Sequence, residues 1–383
     1  MTAVRASADE RTRLHERFAA LCRIRSVFGE ERAIADEVAA ELRSLGLDVH
    51  EDDSAAGSGA GAGNLLVRLP GRAARTVLFC AHLDTVPHDG VVEPVLEDEA
   101  WVSAGETILG ADNKAAVAML MVLARRYAQE PAPVGLEILL TTSEENALAG
   151  AKAFDVRTLR ATEGYVFDHA SPIGEIVVAS PTYYRLEAAF RGKPAHAGIR
   201  PEDGRSAILA AARAIVALPH GRIDAQSTAN VGGIRGGTAG TNIVAEHCSF
   251  LAEARSLDPA KAEALVATMV DAVHDAANDP VCSCDVDLTV AKLFDGYRHP
   301  AGAPTVLAAE VALERCGYTA RRIVTGGGTD GNAFEAAGLR CTNLANGTED
   351  NHENTERVSA RALEGMLDVT LTLLDVLAEG ASA

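Results

Sequence analysis

The 383-residue sequence predicts an α/β protein whose mainly parallel sheet is covered on both faces and interrupted by a smaller, inserted βαββαβ unit. Three observations predict it. Apolar strand-like runs alternate with helical ones early in the chain; the pattern turns strand-rich from about Pro181 and reverts after about Gly296; and acidic and histidine residues stand where strand runs end. Two domains are expected at this length, and a hydrophobic content of 48% supplies a core for each. The larger comprises 1–180 and 297–383, and the inserted one 181–296.

In chain order, GEERAIADEVAAELRSLG has helical apolar spacing and stops at Gly46, the residue type that best tolerates a left-handed cap. LDVHED reads as a strand, the glycine-rich AAGSGAGAGN (55–64) as a flexible loop, and NLLVRLP as a second strand. The glycines do not fit G-x-G-x-x-G, and a strand follows where a phosphate loop requires a helix. TVLFCAHLD, GLEILLTTSEE and GYVFD follow as strands, with the helix KAAVAMLMVLARRYA between the first two. In the insertion, strand YYRLEAAFRG and helix RSAILAAARAIVAL precede two strands, within TANVGGIRGGTAGTNIVAEH and SFLAEARSL. A second helix starts at the Asp258 N-cap with Pro259 in its first turn, and CDVDLTVAKLF is the last strand. Helix PTVLAAEVALERCG, strand RIVT, loop GGGTDGN, strand TNLANG and a final helix complete the chain.

A formal charge of −19 without a compensating basic cluster argues against nucleic acid as a partner. No apolar run approaches the roughly 20 residues of a membrane span, and the polar start reads as no secretory leader, so a cytoplasmic location is expected. The seven cysteines are odd in number and scattered, which predicts free thiols. Cys282 and Cys284 read as same-face residues of a strand, not as metal ligands.

His82 and Asp84 sit two apart at the end of an apolar strand, and Asp112 lies just before a helix, where an N-cap aspartate is also common. Glu144 and Glu145 follow a strongly apolar strand, Asp168 ends another, and His352 lies far along the chain in NGTEDNHENTE. Singly, each is an ordinary surface or capping residue. Together, at successive strand ends of an α/β sheet, they suit two divalent ions that activate water, one glutamate binding a cation and its neighbour moving protons.

GADNKAA, TTSEEN, FDHASPIGEI, GKPAHAG, TNIVAE, EARSLD and GGGTDGNAF occur in one order, and with them the chain resembles the co-catalytic di-zinc exopeptidases. That family includes peptidase T, acetylornithine deacetylase, succinyl-diaminopimelate desuccinylase and aminoacylase, and the resemblance, from about Asn64 to Val369, is strongest to the peptidase T-like group. It implies a zinc-exopeptidase catalytic domain with an inserted lid and dimerisation domain. It implies that His82 and Asp168 bind one metal, Glu145 and His352 the other, and Asp112 both; the ions are zinc, with cobalt or manganese as alternatives. Asp84 then orients His82, Glu144 is the general base, and His196 stabilises the oxyanion, often across a dimer. Asn242 and Arg255 contact substrate, Arg255 being suited to a bidentate carboxylate contact, while Gly326, Gly327, Gly328 and Thr329 read either as backbone N–H donors to substrate or as a plain turn. The Asp112–Asn113 peptide is expected to be cis.

The implied activity is a homodimeric aminopeptidase on short peptides. A deacylase or carboxypeptidase on N-acyl amino acids is the alternative within enzymes, since a similar site serves both. A non-catalytic peptide-binding protein is the alternative of another class. The segment GKPAHAGIRPEDGRSA departs from the H-x-G-x-x-H-P-G of peptidase T proper.

Overall fold

The computed structural model describes residues 2–380, which divide into two compact units. The first runs to Val178, resumes over Arg298–Val324 and continues from Thr329; the second is Ala179–Tyr297 together with the loop Thr325–Gly328. That loop therefore groups with the inserted unit, although its place in the sequence is among the larger unit's elements.

In the larger unit, strands Ala132–Thr141, Gly71–His82, Glu163–His169 and Arg340–Ala345 lie side by side in that order, all parallel. Antiparallel strands flank them: Leu65–Leu69 and then Val49–Glu51 on one side, and Glu175–Ser180 on the other. All ten residues of Ala132–Thr141 are buried, as expected for a strand covered on both faces. Its one charged residue, Glu137, meets Arg68 Nε at 2.8 Å and accepts the N–H groups of Arg160 and Ala161, each at 2.8 Å. Register pairs His82 with Thr141 and Val166 with Asn343, so the carboxyl ends of the parallel strands open on one edge of the sheet.

Helix Ala111–Gln129 is buried on nearly every side, and helix Arg32–Ser44 ends before Gly46 at φ +80°, the conformation expected there. The glycine-rich run is packed and does not form the flexible loop expected. It contains a short helix, Ala55–Ser58, and the Asn64 side chain donates to Asp52, Ser54 and the Gly150 carbonyl. A Cβ at Gly61 would lie 2.8 Å from the Gly29 carbonyl oxygen and one at Gly63 would collide with the Asp52 carbonyl, so these two glycines permit close backbone approach.

The inserted unit is an antiparallel sheet in the order Ser227–Gly236, His247–Ser256, Thr182–Arg191, Asp285–Phe294, with the short Gly221–Arg222 outside the first. Helices Ala207–Ala217 and Pro259–Asn278 cover one face and bury Leu186, Phe190, Phe250, Met269 and Val273. Asp258 caps the second helix, accepting the N–H of Ala260 at 2.9 Å. Cys282 and Cys284 stand in the turn before Asp285–Phe294 and not in the strand: Ser283 has φ +41°, and both thiols are buried in the core. All seven cysteines are free and buried.

Candidate metal centre

His82 closes its strand, and a hydrogen bond at 3.0 Å joins its Nδ1 to the Asp84 carbonyl oxygen. A carbonyl only accepts, so Nδ1 carries the proton and Nε2 is left to meet the acids. Nε2 lies 3.4 Å from Asp112 Oδ1 and 3.6 Å from Asp168 Oδ1. His352 Nε2 lies 3.2 Å from Asp112 Oδ2 and 2.9 Å from Glu145 Oε1. Asp112 thus turns one oxygen to each histidine, and ligand-capable atoms converge in two groups, His82 with Glu144 and Asp168 and His82 with Asp112 and Glu145, with His352 against the second.

The segments carrying these groups are held by backbone hydrogen bonds. Asp84 Oδ1 and Oδ2 accept the N–H groups of Glu144 and Glu145, each at 3.0 Å, which presents the two glutamates side by side. The Asp84 carboxylate stays beside the His82 ring as well, its Oδ1 3.5 Å from Nδ1, while its own carbonyl makes the nearer contact. Asp168 exchanges two hydrogen bonds with the Asn343 side chain at 3.0 Å, and Asn113 Nδ2 donates to Phe167 O at 3.0 Å. The Asp112–Asn113 peptide is cis. Not every group sits at a strand end. Asp112 lies in the first turn of its helix, with non-helical ψ of 104°, and His352 lies in a turn after the short strand Thr348–Glu349.

Four acids, Asp112, Glu144, Glu145 and Asp168, crowd one largely buried site, and among the described residues the cationic partners they meet are His82 and His352 alone. Burial opposes charge on His82, but Asp168 and Asp112 outweigh it and hold the ring well above its ordinary range. Hydrogen bonds to Asp112 and Glu145 raise His352 to about 10. Burial raises Asp168 to about 6, and burial with the Asp168 charge pushes Glu144 up as well. Two imidazoles set against four acids leave the site short of positive charge. Two donors about 2.0–2.2 Å from one tetrahedral ion lie roughly 3.3–3.6 Å apart, close to the spacings here. Asp112 Oδ1 is buried and accepts no hydrogen bond. The donor set therefore fits divalent metal, and the half-exposed His352 leaves one side open.

A family model described as peptidase family M28 matches residues 64–168, and one described as the M20 peptidase dimerisation domain matches 182–279. The crystal structure of an aminopeptidase PepT from Bacillus cereus is 37% identical, with TM-score 0.83, over 96% of this chain and 99% of that one. A tripeptidase structure from Staphylococcus aureus is 32% identical, with TM-score 0.88, over the same shares. A Bacillus subtilis protein of uncharacterised function, YqjE, is 38% identical over 96% of this chain and 99% of its own. This chain belongs to the M20 peptidases, in their peptidase T-like group.

As an M20 peptidase the chain is a hydrolase, and among its described residues no helix is long and apolar enough to cross a membrane. Its other sequence-predicted site residues lie mainly in the inserted unit. His196 and Asn242 are exposed there and are brought together by pairing of their segments: Ala197 N–H donates to Asn242 O, and Val244 N–H to Ala195 O, each at 2.9 Å. Arg255 lies on strand His247–Ser256 with its guanidinium already hydrogen-bonded to Glu253. The Thr329 N–H, expected to face substrate, instead donates to Asn332 Oδ1 at 3.1 Å and caps helix Asp330–Ala336. Gly328 has a packing reason, since any Cβ there would enter the Phe294 ring; Gly327 donates its N–H to Thr325 Oγ1 at 3.1 Å.

Sequence reasoning missed the buried acids that support this M20 peptidase's centre. Glu356 accepts the N–H groups of Leu109, Gly110 and Asp112 at 2.7–2.9 Å, fixing the Asp112 backbone from the same segment that carries His352. Glu31 accepts the Ser143 N–H at 3.1 Å and its hydroxyl at 2.8 Å, bracing the residue before Glu144, whose φ is +52°. Both sit in helix- or turn-like contexts where a glutamate is ordinarily solvated, and nothing local marks them. Asp330 is buried and accepts the Thr141 hydroxyl.

Proposed function

We propose that this M20 peptidase is a two-metal aminopeptidase on short peptides. His82 and Asp168 hold one divalent ion, Glu145 and His352 the other, and Asp112 is shared between them. The observation that carries the reading is the opposed orientation of the two Asp112 oxygens, 3.4 Å from His82 and 3.2 Å from His352. Bound divalent ions supply a polarised scissile carbonyl and a water that ionises near pH 7, against about 15.7 when free. Glu144 takes the proton of the attacking water as the new C–O bond forms and the carbonyl oxygen becomes an oxyanion; passing that proton to the amide nitrogen then lets the C–N bond break and the amine leave. Burial raises its carboxyl pKa, which makes it the better proton acceptor for that exchange. Asp84 keeps Glu144 and Glu145 in register through their N–H groups.

Zinc is the metal we favour, because imidazole and carboxylate donors suit it; cobalt and manganese accept the same set. Removing metal with a chelator should abolish turnover, and added zinc, cobalt or manganese should restore it. Release of free amino acid from unblocked tripeptides should exceed hydrolysis of N-acetyl and N-succinyl amino acids; the reverse preference would establish the deacylase.

We further propose a homodimer joined through the inserted unit, with His196 of each chain serving the oxyanion in its partner's site and Asn242 beside it contacting substrate. The dimerisation-domain match over 182–279 and the exposure of His196 support it. Sedimentation at micromolar concentration should give twice the chain mass of 40.0 kDa, and a fully active monomer would exclude it.

A further inference from the structure

We propose that Glu253 is a specificity residue, whose carboxylate beside Arg255 makes the subsite admit a peptide end with one carboxylate and turn away an end with two. The inference rests on the reading that Arg255 meets the substrate carboxylate.

Glu253 and Arg255 stand two apart on strand His247–Ser256 and so share one face of it. Arg255 Nε and Nη2 donate to Oε1 and Oε2 of Glu253, both at 3.1 Å, and Nη1 donates to the Gly326 carbonyl at 3.1 Å. The guanidinium carbon lies 4.1 Å from the centre of the Tyr183 ring, which meets the Phe294 ring edge-on at 5.3 Å. Gly328 abuts Phe294, so the stack has a backbone wall behind it. These contacts fix the guanidinium plane from several directions.

A guanidinium has five N–H donors. With three spent on Glu253 and Gly326, one remains on Nη1 and one on Nη2, a fork that matches the two oxygens of one carboxylate. Glu253 also cancels the charge behind that fork. A substrate with a single terminal carboxylate gains two directed hydrogen bonds at a nearly neutral pair. A terminal acidic residue brings a second carboxylate, for which Arg255 has no further fork and which meets the Glu253 charge within a few ångströms. Both side chains are about a quarter exposed, so the repulsion should be partly screened and should weaken with salt.

The test compares KM and kcat for Ala-Ala-Ala, its C-terminal amide and Ala-Ala-Glu in the wild-type enzyme, Glu253→Gln and Arg255→Met. Wild type should favour Ala-Ala-Ala over Ala-Ala-Glu. Glu253→Gln should narrow that preference about tenfold, the change should fall in KM, and it should shrink between low and high salt. A loss of folding alone would lower the active fraction, and with it kcat, for every peptide equally. If Arg255→Met raises KM for Ala-Ala-Ala but not for its amide, while Glu253→Gln leaves the Ala-Ala-Glu preference unchanged, the role given to Glu253 is overturned. If Arg255→Met leaves KM unchanged for every peptide, the Arg255 contact itself is wrong and the inference falls with it.

Discussion

Glu144→Gln should retain both metal ions and lose turnover by about 10²–10⁴-fold, the usual contribution of a positioned proton-transfer group. The amide keeps the shape of the side chain and leaves untouched the Glu144 N–H that Asp84 accepts at 3.0 Å, so the loop should stay in place. What is lost is an oxygen able to take a proton from water and return it to the amine. KM should move little. Glu145→Gln should behave differently: its Oε1 lies 2.9 Å from His352, in the cluster assigned to one ion, and a neutral amide is the poorer ligand. Metal content should fall and excess divalent ion should recover part of the activity. Metal stoichiometry measured with turnover across a metal titration separates the two, and the opposite pattern would exchange the roles of the adjacent glutamates.

Asp112→Asn should weaken binding of both ions together, because each cluster loses the oxygen it shares with the other. The loss in affinity should exceed the roughly 10–100-fold that removal of an outer-shell partner costs, and activity should fall with it. The three N–H groups of residues 109–112 that Glu356 accepts are backbone groups, so the substitution leaves that clasp intact. A melting transition close to that of metal-free wild type should therefore persist. Metal analysis after dialysis checks the prediction: retention of one full equivalent would mean that Asp112 serves a single ion.

Much of the architecture was legible because it is written in local period. The run ILLT of Ala132–Thr141 and the apolar TVLFCAH of Gly71–His82 have the continuous apolar character of strands covered on both sides, and Asp258-Pro259 announces a helix in two residues. The readings that failed turn on backbone angles, hydrogen bonds and packing that residue spacing does not show. Ala55–Asn64 looks flexible from its glycines, yet Gly29, Asp52 and Gly150 close around it. Cys282 and Cys284 have strand spacing, but Ser283 turns the chain. Thr329 has the look of an N–H donor to substrate, but its N–H is taken by Asn332 Oδ1, and Gly328 packs on Phe294.

For the candidate site, side-chain type and position alone singled out His82, Asp112, Glu144, Glu145, Asp168 and His352 as candidates for a divalent-metal site. Tertiary structure decided how they meet. Asp112 and His352 are 240 positions apart, and only folding turns one Asp112 oxygen to His352 and the other to His82. It also decided that Glu356 and Glu31 are clamps and that the Arg255 guanidinium is already shared with Glu253. A hydrogen bond depends on angles and on distances of a few tenths of an ångström, which residue spacing along the chain does not encode.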